Sequence, residues 1–158
     1  VTDTVRRMVK ESGYPNMKVL EFAFDSRDSS GAGDYLPHNY THNCVVYTGT
    51  HDNDTVMGWY DTLKGADKKL CDDYLRLKNA DGEPIPREQL PWEFVRAAMS
   101  SVADLAIIPM QDYLGLGSEA RINIPSTLGI NWKWRMGNGD FTKELAGRIR
   151  SMTKLYGR

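Results

Sequence analysis

Three short apolar runs, each closed by a polar loop, restrict the folding of this chain more than any other feature. MKVLEFAF (Met17–Phe24), CVVYT (Cys44–Thr48) and LAIIP (Leu105–Pro109) carry the β-branched and aromatic residues that suit a pleated, half-buried surface. Helical patterns surround them. The first helix is expected to be capped by Thr2 or Asp3, to carry Val5, Met8 and Val9 on one face, and to end at Gly13 before Pro15. Further helices are expected over Asp54–Leu63, Ala66–Leu77 and Trp92–Ser101, with an amphipathic one from Phe141 to Leu155 closing the chain. This order predicts an α/β fold with parallel strands, crossovers between them and all strand ends at one mouth. Three such strands make either a small open sheet or a piece of a larger one.

The second run continues into VVYTGTHDNDT, Val45–Thr55, where Gly49 lets the backbone turn and His51, Asp52, Asn53 and Asp54 follow at once. Ligands bind and catalytic side chains project at the C-terminal ends of parallel strands, so this cluster is the leading candidate for a site. A plainer reading stands beside it: Asp and Asn after Gly make Asx turns, and Asp54 with Thr55 would cap a helix starting at Val56. Two other loops reach the same mouth. One is the long polar stretch Asp25–Asn43, with Tyr35, His38, Asn39 and Tyr40; the other follows the third run with Gln111, Asp112 and Tyr113, then Gly115, Gly117, Arg121 and Asn123.

Charge narrows the functional classes. The 158 residues hold 20 basic against 21 acidic side chains, with no basic tract, which argues against nucleic acid and against an anionic membrane surface. The longest apolar runs are far too short to span a bilayer, and the N-terminus has no apolar signal core. Cys44 and Cys71 are far apart and outside any paired-cysteine spacing, so free thiols in a reducing, cytoplasmic compartment are expected. His38, His42, His51 and Asp52 offer metal-ligand chemistry, but the four-residue spacing of His38 and His42 lies in a Pro- and Asn-containing loop without helical periodicity. The Gly-x-Gly of GLGSEA has no third glycine to complete a dinucleotide fingerprint. Neither a metal nor a cofactor is expected.

Taken together, VVYTGTHDNDT, YLPHNY (Tyr35–Tyr40), LAIIPMQDYLGLGSEARINIPST (Leu105–Thr127) and NWKWR (Asn131–Arg135) resemble, in colinear order, the C-terminal part of bacterial 4-alpha-glucanotransferases, the amylomaltases or disproportionating enzymes. The resemblance implies a (β/α)8 barrel of the amylase clan that transfers α-1,4-glucan segments between maltooligosaccharides by a retaining double displacement. It makes the three runs strands six, seven and eight. In that family an Asp after strand four is the nucleophile and a Glu after strand five is the acid and base. A third carboxylate, an Asp preceded by His after strand seven, binds sugar hydroxyls and stabilises the transition state. Only the third maps here, onto Asp52 with His51 beside it.

Retaining transfer needs two carboxyl groups about 5 Å apart across the scissile bond. The segments carrying both would lie upstream of Val1, and neither Glu11 in the first helix nor Glu21 in the first run is a credible substitute. The expectation is therefore a partial catalytic domain over residues 1–158, about strands six to eight of the barrel, inactive alone and prone to associate with itself or with its missing N-terminal part. A non-catalytic carbohydrate-binding or assembly module is the alternative. Asp52 and His51 are the expected catalytic residues; Asn53, Asp54, His38, Asn39, Asp25, Gln111, Asp112 and Asn123 are the expected sugar-binding wall. Trp132 and Trp134 are either aromatic platforms or packing residues.

Overall fold

The structure is a computed structural model that describes residues 2–25 and 32–158. Among them β1 (Asn16–Val19), β2 (Cys44–Tyr47) and β3 (Leu105–Ile107) form a parallel sheet in the order β1-β2-β3. Val19 stands opposite Tyr47, and Tyr47 opposite Ile107, so the three strands end level and release their loops at one mouth. The α/β reading holds in this form.

All three strands end before the apolar runs that announced them, β2 by the single residue Thr48 and the other two by more. The first stops at Val19 and continues as a 3-10 turn, Leu20–Phe24. The amide of Glu21 donates to the Thr48 carbonyl at 3.3 Å, and the tightened chain then buries Leu20 and Ala23, three residues apart, on one side. Strand alternation would have sent them to opposite faces. The third run stops pairing at Ile107, because Pro109 opens a short helix, α5 (Met110–Leu114), where a loop was expected. Pro109 accepts from the amides of Asp112 and Tyr113 at 3.0 and 3.4 Å.

The helices lie close to their expected positions. α1 (Asp3–Ser12) is capped by the Thr2 hydroxyl and ends in a left-handed Gly13. α2 (Val56–Thr62), α3 (Gly65–Leu75) and α4 (Leu90–Met99) fill the crossover between β2 and β3, and α6 (Lys143–Leu155) closes the chain. Thr55 caps α2 by accepting from the Gly58 amide at 3.1 Å, which leaves Asp54 outside the helix. The first crossover carries 3-10 turns at Ala32–Tyr35 and Pro37–Asn39, and residues 26–31 of the expected polar loop lie outside the described residues.

Packing is centred on α4. Phe94 is fully buried and meets Phe24, Trp59 and Tyr60 edge-on, with ring centroids 6.5, 5.9 and 6.1 Å away. Leu20, Val56, Met57, Leu75, Leu77 and Leu90 complete this cluster, which therefore joins the turn after β1 to α2, α3 and α4. A smaller cluster of Tyr40, Cys44, Val46, Ala98 and Ala103 seats β2 on the other part of α4. Elsewhere apolar surface is open: α1 has no buried residue, and Met17 of β1 and Leu105 of β3 are each 54% exposed.

Because Phe94 packs against the turn after β1 and against α2 at the centre of the larger core cluster, Phe94→Ala should destabilise the protein by about 3–5 kcal/mol through lost burial and the cavity left behind. Denaturant titration measures it, and a loss under about 1 kcal/mol would show that the cluster collapses to fill the space.

Candidate active site

The loop after β2 is folded largely by its own side chains. Asn53 Oδ1 accepts from the backbone amide and the hydroxyl of Thr50 at 3.0 and 2.7 Å, and the Asp52 amide donates to that hydroxyl at 3.3 Å. Asp54 accepts from the Thr55 amide at 2.8 Å and from the Ser118 hydroxyl at 2.6 Å. Below the loop, Asp112 accepts from the Thr48 hydroxyl at 2.5 Å and from the Val56 amide at 2.9 Å, fastening its entry and exit to α5.

A second loop, following α5, holds the tip of the first from the side. Arg121 donates to the carbonyls of Asp52 and Asn123 at 2.6 and 2.9 Å. The Asn123 amide donates to the His51 carbonyl at 3.1 Å, and its side chain donates to Asp52 Oδ1 at 2.6 Å. His51 Nε2 lies 3.5 Å from the same carboxylate oxygen, and the two side chains remain 54% and 51% exposed. The Trp132 ring packs against His51 with centroids 5.1 Å apart. Trp132 has a φ of +63°, in the left-handed region, and its amide is tied to the Ile122 carbonyl at 2.7 Å. A bulky residue held in that region needs its surroundings to enforce it, and such strain concentrates at functional sites.

The remaining expected residues divide by position. Asn53 and Asp54 belong to the loop's internal bonding, as described. Gln111, which donates to the Ala120 carbonyl at 3.2 Å, and Asp112 are buried, and both line the small cavity that His51 also lines. His38 and Asn39 sit against other neighbours: His38 Nδ1 is 2.9 Å from the Tyr74 hydroxyl of α3, and Asn39 donates to the Gly33 carbonyl at 2.8 Å. Asp25 ends the 3-10 turn after β1 and lines a cleft of about 340 Å³ with Glu21, Phe22, Phe24 and Trp59. The three histidines are dispersed, since the His42 carbonyl accepts from the Cys44 amide at the start of β2 while His51 lies beyond its end. Among the described residues no group of three His, Cys, Asp or Glu is placed to hold a metal ion.

Sequence reasoning rejected Glu21 as a catalytic carboxylate and gave it no other role. Its side chain is 4% exposed under the mouth, with one carboxyl oxygen, Oε1, lacking a hydrogen-bond partner. Burial, reinforced by the facing Asp112 and Asp54 carboxylates, pushes it up to about 9 against the opposing pull of Arg121 and Asn53. Asp112 is pushed up to about 6, chiefly by burial, with the Thr48 and Val56 hydrogen bonds acting in the other direction. The signal for Glu21 was present as a lone carboxylate inside the apolar run VLEFAF. The cavity beside Asp112, lined by Thr50, His51, Asn53, Asp54 and Arg121 among others, measures about 30 Å³. A sugar ring does not fit there, so a ligand would meet His51 and Asp52 from the outer side.

Known proteins share the sequence and fold that carry this half-exposed His–Asp pair. The sequence profile of a family described as 4-alpha-glucanotransferase matches residues 1–140. The chain is 46% identical over 159 residues to the 4-alpha-glucanotransferase of Clostridium butyricum, covering all of this chain and 31% of that one. It is 43% identical over 158 residues to that of Thermus thermophilus, covering 98% and 30%. It is 44% identical over 161 residues to the chloroplastic/amyloplastic enzyme of Solanum tuberosum, covering 100% and 26%. Among solved structures, an amylomaltase from Streptococcus agalactiae in complex with acarbose superposes with a TM-score of 0.86 at 33% identity, covering 100% of this chain and 30% of that one. Sequence and fold thus agree, and the chain belongs to the 4-alpha-glucanotransferase family, spanning about a quarter to a third of the length of the relatives it matches.

Proposed function

We propose that this chain is part of an enzyme that transfers α-1,4-glucan segments between maltooligosaccharides with retention, and that His51 and Asp52 form one wall of its donor-sugar site. The observation that carries this reading is the braced, half-exposed His51–Asp52 pair with Trp132 beside it. A sugar offers vicinal hydroxyls around a flat face of C–H bonds, and a carboxylate, an imidazole and an indole match those features in turn. Asp52 accepts hydrogen bonds from neighbouring hydroxyls. As positive charge grows at the anomeric carbon, those bonds and the carboxylate's own charge stabilise the oxocarbenium-like state more than the ground state. Asn123 fixes the carboxylate, and Arg121 fixes the backbone from which it projects.

In this reading β1, β2 and β3 are strands six, seven and eight of a (β/α)8 barrel, and the chain is one partial catalytic domain. The nucleophile and the acid/base group belong to strands outside it. For the 158 residues alone, glucan binding without turnover is the expected behaviour. The uncovered faces of α1, Met17 and Leu105, and the outer edges of β1 and β3, favour association with those other strands or with a second copy. Cys44 and Cys71, both buried free thiols, suit a reducing compartment such as the cytoplasm.

Incubation with maltotriose tests the activity: the intact enzyme should release glucose and longer maltodextrins, and this chain alone should not. Product from the chain alone would refute its dependence on outside carboxylates. Sedimentation of the chain should reveal oligomers, and a purely monomeric profile would contradict the proposed association. In the intact enzyme, Asp52→Asn should keep the fold and lower kcat by about 100-fold or more, the scale of losing one transition-state contact. Near-normal turnover would remove Asp52 from the reaction. Asn123→Ala, which releases one charge-assisted hydrogen bond, should cost about 10-fold in kcat/KM with little change in melting temperature. An unchanged kcat/KM would show that Asp52 is positioned without it.

A further inference from the structure

Glu21 is the buried group that the proposed chemistry leaves unused. Its carboxyl lies directly behind the loop that carries His51 and Asp52. A methyl group placed on Gly49 would come within 2.7 Å of Glu21 Oε1 and 3.3 Å of the Asp54 carbonyl, so the carboxyl rests against bare backbone at the loop's entry. The Asn53 side chain also lies close enough to it to favour its ionised form. Asn53 in turn holds Thr50 through both the amide and the hydroxyl, and that hydroxyl receives the Asp52 amide. A short chain of contacts therefore runs from Glu21 through Asn53 and Thr50 to Asp52.

We propose that Glu21 is a positioning residue for the reaction: its carboxyl, wedged between Gly49 and Asn53, sets the shape of the loop that presents His51 and Asp52. This rests on the glucanotransferase reading. It extends that reading to a residue that touches no substrate.

The surroundings call for the carboxyl to be neutral. Asp112 of α5 and Asp54 of the loop face it with negative charge, while Asp25, Lys64 and Asp67 share the cleft on its other side. The facing cation, Arg121, is engaged by the carbonyls of Asp52 and Asn123. An ionised Glu21 would be a desolvated charge beside two others of its own sign. With its value raised from 4.5 to about 9, Glu21 keeps its proton in the folded protein through the neutral range. The sign follows from linkage. The unfolded chain releases this proton near 4.5 and the folded one near 9, so the group's contribution to stability is full below 4.5, declines as pH rises, and is gone above about 9. Activity should fall over the upper end of that range as the ionised carboxyl pushes on the loop.

Two substitutions in the intact enzyme separate positioning from bulk. Glu21→Gln keeps the shape and stays neutral at every pH. It should retain kcat and KM on maltotriose within about twofold, move the alkaline limb of the pH–rate profile upward, and raise the melting temperature over wild type more at pH 8 than at pH 5. Glu21→Leu removes the carboxyl that rests against Gly49. It should lower kcat about tenfold or more with a smaller change in KM, and speed amide hydrogen exchange in residues 50–54 while leaving α4 protected. Wild-type kcat and wild-type loop protection in Glu21→Leu would overturn the proposal, as would a fast-exchanging loop with undiminished kcat. If Glu21→Leu fails to fold, the alkaline limb of Glu21→Gln decides, and a limb unchanged from wild type counts against the assignment. If wild type itself fails to disproportionate maltotriose, the glucanotransferase reading falls separately, and the exchange data still decide whether Glu21 shapes the loop.

Discussion

The mouth of this sheet depends on one buried carboxylate. Asp112, 1% exposed, accepts from the Thr48 hydroxyl at the end of a strand and from the Val56 amide at the start of a helix, residues 64 and 56 positions away in sequence. A carboxylate removed from water is costly unless its oxygens are engaged, and here both are. Engaging them closes the Gly49–Thr55 segment at both ends, so the loop is a short arch with fixed feet. Removal of one partner would leave the other contact buried and under-satisfied, which makes the arrangement specific as well as stabilising.

Above these feet, holding and presenting are done by different atoms. Arg121 and the Asn123 amide grip main-chain carbonyls, while the side chains of His51 and Asp52 stay half in solvent. A guanidinium clamped on two carbonyls gives orientation without neutralising a carboxylate side chain. The exception is Asn123, whose amide donates directly to Asp52 Oδ1 and so selects one orientation of the carboxylate. Trp132 adds a rigid surface whose placement is maintained against an unfavourable backbone conformation.

The legible parts of this structure were those governed by local rules. Thr2 as a cap and Gly13 as a left-handed stop follow from short-range chemistry, and so do the helices from Val56 to Met99. The β2 strand and the His–Asp pair after it were legible because a β-branched run met a polar cluster. What escaped depended on long-range partners. The first apolar run reads as one strand, yet a backbone bond to Thr48 turns its second half into 3-10 helix. Gln111 and Asp112 are polar residues after a strand, and only the depth of α5 buries them. His38 and Asn39 carry sugar-binding chemistry, but Tyr74 and Gly33, neither adjacent in sequence, determine where they sit. Glu21 was visible as an anomaly, and its neighbours alone give it meaning.

Gly49 has a left-handed turn's residue type without serving as one; its missing side chain is space for the Glu21 carboxyl. Positions 21 and 49, 28 residues apart by their numbering, therefore share a single volume. Neither can grow independently of the other. In the inheritance of such a chain, a side chain at position 49 requires the carboxyl end of residue 21 to move or be lost and the Asp54 carbonyl to give slightly, whereas a return to glycine is open at any time. One missing Cβ thus couples the substitutions available to the segments that follow two strands of the sheet.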